Sequence, residues 1–208
     1  MGETMFRTLP SGKIVMSDKP QSPLFDDPAD KEARDLRAAC FGATGELIPF
    51  VLDAIRVGFP DRDRGITPGM KFMEHNATTL CSATRGDDGT IAVTRDLKLL
   101  QLSNGPLENA EVEVSVDTEQ RNVTFSLSAV GTGDTDHLSM ADDRVYGFVL
   151  DGERLRGRLV QLGTRGEGGI KTFTIPAKWS VADLHVYVFT RRRRDRVASD
   201  TAHVYPKE

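Results

Sequence analysis

Cysteine is nearly absent: the 208 residues hold two, Cys40 and Cys81. A small secreted scaffold stapled by disulfides carries more. Two thiols without a second pair or an accompanying histidine do not make a structural zinc site either. Both are expected as buried thiols on the apolar stripes of helices, with one bond between them as the alternative. Long apolar runs are missing too. The longest, from Leu47 to Val57, is interrupted by Pro49, Asp53 and Arg56, well short of the ~18–20 residues of a membrane span. The N-terminal stretch lacks the basic and then apolar segments of a secretion signal, and Phe6 stands where N-myristoylation needs Ser or Thr. Membrane insertion is therefore not expected, and the cytoplasm is the default compartment. Positive charge is not in excess: 27 Lys and Arg against 31 Asp and Glu give a net charge of −4. A long-range pull toward nucleic acid is not expected from that balance.

What is present describes an ordinary globular chain, with 38% hydrophobic and 28% charged residues, enough to build a sizeable core. Strands are expected at 5–9 and 13–17 around the turn Pro10-Ser11-Gly12, followed by an extended loop at 18–28. A helix then opens with Asp27 as cap and Pro28 at its first position, with Ala33, Leu36, Cys40 and Phe41 on its apolar stripe and Gly42 and Gly45 as interruptions. A second helix covers about Leu47 to Val57, stopped by Gly58. A third is capped by Thr67, opened by Pro68, and striped by Met70, Met73, Ala77 and Leu80. Strands at 90–94 and 97–102 precede the punctuation Ser103-Asn104-Gly105-Pro106, where the domain boundary is placed.

Beyond that point the period changes to two. Val112, Val114 and Val116 alternate with Glu111, Glu113, Ser115 and Asp117, and Val123, Phe125 and Leu127 repeat the pattern. Further strands are expected at 143–150, 154–162, 170–175, 183–190 and 197–205. The inward residues would be Val145, Phe148, Leu159, Phe173, Ile175, Leu184, Val186, Val188 and Val204, with Trp179 covering one end of the core. Seven short strands separated by turn residues imply a sandwich. The fold class is α+β, mainly β: residues 1–103 hold a hairpin, helices and strands, and residues 104–208 a seven-stranded antiparallel sandwich of the fibronectin type III or immunoglobulin-like kind.

The order and spacing of several short pieces carry a resemblance. They are Ser11-Gly12-Lys13 with Lys19-Pro20, Arg34 and Phe41, Ile55 through Gly58-Phe59, and Ser103, Gly105 and Leu107. Later come Ile175-Pro176 with Trp179, His185-Val186-Tyr187, and Val197 with Ser199. Over most of its length the chain resembles a family of bacterial proteins catalogued as domain of unknown function 6266. It departs from that family at the end of the second sandwich strand, where the family often has Trp and this chain has Ser128. The resemblance implies a fold and brings no activity or catalytic residue.

The sharpest local feature is Arg191-Arg192-Arg193-Arg194-Asp195-Arg196, in the hairpin before the last strand. Arg191, Arg192, Arg193, Arg194 and Arg196 offer forked donors for phosphate, sulfate or carboxylate; the alternative is a solvated hairpin. Asp134, Asp136, Asp142 and Asp143 cluster in one loop without the spacing of an EF-hand. His185 and His203 fall on adjacent strands with His185 outward, and no third ligand joins them, so no metal is expected. Arg85-Gly86-Asp87 reads as a turn, and the Asn76 and Asn122 sequons as inert. The glycine-rich run 163–169 joins strands and opens no helix, so it is not a phosphate loop. No cofactor and no catalytic residue is expected. The expected function is a structural or protein-interaction role, with a protein partner or a second copy. Binding of an anionic polymer or glycan through the arginine hairpin is the alternative.

Overall fold

The computed structural model describes residues 4–8, 14–18, 28–129, 138–192 and 194–206. The fold is α+β and mostly β. A hairpin of β1 (Thr4–Thr8) and β2 (Ile14–Asp18) is followed by α1 (Pro28–Gly45), α2 (Ile48–Gly58) and α3 (Pro68–Asn76). A second hairpin pairs β3 (Cys81–Arg85) with β4 (Ile91–Arg95). The expected Asp27 cap, the turn at Pro10–Gly12 and the loop before Pro28 lie outside the described residues. Thr67 caps α3 as anticipated, its Oγ1 accepting from the Met70 N–H at 3.2 Å. Gly58 closes α2, and for a packing reason: a Cβ there would stand 2.1 Å from the Leu102 carbonyl oxygen.

Two further sheets are built from β5 (Val112–Asp117), β6 (Asn122–Leu127), β7 (Arg144–Asp151), β8 (Arg156–Thr164), β9 (Gly169–Thr174), β10 (Leu184–Arg191) and β11 (Ala202–Tyr205). One sheet has the order β5-β6-β9 and the other β11-β10-β7-β8, with every neighbouring pair antiparallel. Their facing sides share one cluster: Val123, Phe125 and Leu127 meet Val145, Val149, Leu184, Val186 and Val188. Trp179 and Phe173 pack against it, as expected for an end cover.

The alternate residues of β7 and β10 point the other way. Tyr146, Phe148, Leu150, Tyr187 and Phe189 join Leu47, Val51, Ala54 and Ile55 of the α2 region, with Phe72, Leu97, Leu100 and Leu102, in a second cluster. β7 and β10 are therefore buried on both faces. Close packing between the sheets depends on Gly147, where a Cβ would lie 2.6 Å from the Phe125 ring.

Several expectations are corrected. Phe148 and Leu159 were expected between the sheets but belong to the helix-covered cluster. The third helix stops at Asn76, and Cys81 opens a strand instead of lying on a helix stripe. Residues 97–102 are not a strand: Asp96 caps a single 3-10 turn, Leu97–Leu99, with its side chain accepting from the Lys98 N–H. The helix continues through Gly42 to Gly45. Phe41 and Met70 are 58% and 51% exposed, while Phe72, outside the expected stripe, is fully buried. No helix among the described residues is long and apolar enough to cross a membrane.

Candidate functional site

The arginine hairpin is dispersed by the fold. Arg191 ends β10 in register with Arg144 and bridges to Ala198. Arg192 is 8% exposed. Its Nε donates to Asp143 Oδ1 at 3.0 Å and its Nη2 to Asp143 Oδ2 at 3.4 Å. Asp143 is itself fully buried, and its carboxylate also accepts from the Met140 N–H at 2.9 Å. This charge pair ties the loop before β7 to the hairpin, so Arg192 does not face solvent as an anion site. Arg193 lies outside the described residues; Arg194 and Arg196 are exposed. Arg165 is buried beside the pair and donates to the carbonyls of Glu108 and Asn109. Burial lowers its pKa, against the opposing pull of Asp143. Of the aspartate cluster, Asp143 pairs with Arg192 and Asp142 is exposed, while Asp134 and Asp136 lie outside the described residues.

His185 and His203 do meet, with His185 Nδ1 3.1 Å from His203 Nε2. His185 Nε2 is 3.3 Å from Asp183 Oδ1. His185 points away from the inter-sheet cluster, as expected, yet that face is covered and the residue is 9% exposed. Neighbouring Tyr187 donates its hydroxyl to the Leu97 carbonyl at 2.6 Å, and burial pushes its phenol well above the ordinary range. Burial, then His185 and Lys98, lower the pKa of His203. No group of three metal-ligating side chains is found among the described residues.

The cysteines are free and half-buried, where buried thiols were expected. Cys40 Sγ lies 3.6 Å from the Cys81 carbonyl, and Thr44 Oγ1 3.4 Å from Cys81 Sγ. Asn76 of the first sequon is fully buried; its side chain bonds Phe72 O, Gln101 O and the Gln101 N–H, a structural staple.

A site that reading the sequence missed lies at the start of β8. Arg154, Arg156, Arg158, Lys178 and Trp179 line a groove of about 720 Å³ with Pro176 and Ala177. β8 is an edge strand, and Arg156 and Arg158 alternate with half-buried Gly157 and Leu159. The opposite wall is held in place by two clamps. Fully buried Asp151 accepts from the Arg154 N–H at 3.1 Å and from the Ser180 N–H at 2.9 Å, joining the β7–β8 turn to the loop before β10. Arg121 Nη2 donates to Pro176 O and Trp179 O, both at 2.8 Å. The Arg154 guanidinium adds a bond to the Lys178 carbonyl. Arg156 lies over the Phe50 ring, 5.3 Å from its centroid, a stacking that arginine favours. The Trp179 ring packs 5.9 Å from that of Phe173.

Among the described residues no carboxylate forms an ion pair with Arg154, Arg156, Arg158 or Lys178. Four like charges around one concave surface repel one another, and an incoming anion relieves that repulsion. The signal available in sequence was Arg154-Leu155-Arg156-Gly157-Arg158, three arginines at alternate positions. Only the fold shows that they share a groove with Lys178 and Trp179. No family model, no curated protein and no solved structure matches the chain.

Proposed function

We propose that this is a non-catalytic interaction protein, and that its rigid β-scaffold holds the β8 groove out to an anionic segment of a partner. The observation that carries this reading is the set of cations without carboxylate partners around a groove whose walls are clamped by Asp151 and Arg121. Pre-set walls reduce the ordering cost of binding. The anion-binding role read from Arg191–Arg196 thus moves to Arg154, Arg156, Arg158 and Lys178.

In the same reading the C-terminal half, about residues 104–208, is a seven-stranded sandwich of the fibronectin type III kind, and residues between Leu47 and Leu102 cover the outer face of β7 and β10. Support comes from strand order. The fourth strand, β8, pairs with β7, whereas in constant-type immunoglobulin domains the fourth strand joins the other sheet. Kinship with the bacterial family of unknown function 6266 belongs to the same proposal and adds no activity to it.

Trp179 is the only tryptophan and lines the groove, so its emission reports on the site. Titration with polyglutamate at low salt should shift that emission, high salt should reverse the shift, and Arg158→Ala with Lys178→Ala should remove it. A flat titration at low salt would discard the reading.

A further inference from the structure

We propose that the partner is a second copy of the chain: the basic groove beside β8 on one copy takes the acidic edge strand β5 of another. The proposal rests on the reading of the groove as an anionic-partner site and names what fills it. β5 and β8 are edge strands of different sheets on opposite flanks of the molecule, since β5 lies against β11 and β8 against β9.

Charge is segregated between those flanks. Residues 107–120 contain Glu108, Glu111, Glu113, Asp117 and Glu119 and no lysine or arginine, and all five acids are exposed. Along β5 the valines are half-buried against the core while Glu113, Ser115 and Asp117 face out. Side chains on one face of a strand repeat at about 6.5–7 Å, so carboxylates on β5 and guanidiniums on β8 share one repeat. Antiparallel pairing of the two edges sets acid against base and lets their unpaired N–H and C=O groups satisfy each other. Each flank also carries apolar surface. Leu99, Val112, Val114, Val204 and Pro206, together with Lys98 and His203, line a concavity of about 590 Å³ beside β5, with Leu99 50% exposed. On the other flank, Pro176, Ala177 and Trp179 line the groove.

The same charges select the geometry. Pairing β8 with β8 sets arginine against arginine, and pairing β5 with β5 sets carboxylate against carboxylate; both are disfavoured. Only the unlike edges match, which makes the contact heterologous. A pair then keeps one free edge of each kind, so growth continues past a dimer unless a ring closes.

The test is sedimentation velocity on the full chain across a concentration series, at low and high salt. At low salt the average mass should rise with concentration beyond that of a dimer, and high salt should return it to monomer. Arg156→Glu with Arg158→Glu, or Glu111→Lys with Glu113→Lys, should weaken association by at least about tenfold, and an equimolar mixture of the two variants should restore it. The neutral pair Arg156→Gln with Arg158→Gln provides a milder lesion if charge reversal disturbs folding. A chain that stays monomeric at low salt, or reversed variants that do not complement, would overturn the proposal. A synthetic peptide of residues 108–119 separates the two levels of the claim. If it shifts Trp179 emission while the protein remains monomeric, self-association falls and the groove reading stands. If neither it nor polyglutamate shifts the emission, both fall. Heparin or single-stranded DNA shifting the emission where the peptide does not would also overturn strand pairing.

Discussion

Two arginine clusters in this chain look alike in sequence and end in opposite states. Arg191–Arg196 is the denser run, yet Arg192 is enclosed against Asp143. Arg154, Arg156 and Arg158 are sparser, sit at an open sheet edge, and have no carboxylate partner among the described residues. Density of charge along a chain says little about availability. What decides is whether the fold delivers a counter-charge, and the carboxylate that neutralises Arg192 comes from 49 residues away.

The comparison is broken most forcefully at Asp143. Asp143→Ala removes the buried carboxylate that the Arg192 guanidinium bonds through Nε and Nη2, and breaking such a buried pair typically costs about 3–5 kcal/mol, read as a lower midpoint in urea. Asp151→Asn strikes the other cluster. It weakens two backbone bonds that hold the groove wall and should cost about 1–3 kcal/mol, with weaker anion binding at the Trp179 signal. An unchanged titration in that variant would show that the clamp does not shape the groove.

A smaller effect is expected at His203, where charge is disfavoured rather than balanced. His203 has its pKa lowered by burial and by His185 and Lys98. Between that depressed value and the unfolded value of about 6.5, the unfolded chain binds more protons than the native one. Stability is therefore complete above about pH 6.5 and declines as the pH falls through that window. His203→Gln should flatten that part of a plot of melting temperature against pH; an unaltered slope would assign it to other groups.

Much of the strand architecture was legible in sequence. Val112, Val114 and Val116, then Val123, Phe125 and Leu127, alternate cleanly because β5 and β6 have one dry face and one wet face. The same logic failed at β7. There Val145, Tyr146, Phe148, Val149 and Leu150 are all buried, because the helices cover the face that alternation assigns to water. A strand dry on both sides carries no period, so Phe148 was assigned to the space between the sheets and lies on the helix-covered side. The short strand β3 was hidden for a related reason: Cys81–Arg85 is half-buried or exposed throughout and lacks the alternation of apolar side chains that marks a strand. Phe41 fits a helical stripe by spacing alone, but it is 58% exposed, and Ala43 and Thr44 are the buried residues of that turn of α1. The groove was illegible because its two walls, at 154–158 and 176–179, are brought together by contacts distant in sequence: the Asp151 carboxylate on the Arg154 and Ser180 N–H groups, and the Arg154 guanidinium on the Lys178 carbonyl.

The most direct measurement sets Arg158→Ala beside Arg192→Ala, each assayed for urea stability and for polyglutamate binding at low salt. Arg158→Ala should stay within about 0.5 kcal/mol of the parent in stability and lose most of the Trp179 response. Arg192→Ala should lose about 3–5 kcal/mol of stability and, where still folded, keep its response. The reverse pattern, with a stable Arg192→Ala that no longer binds and an Arg158→Ala that binds normally, would contradict the division between the two clusters.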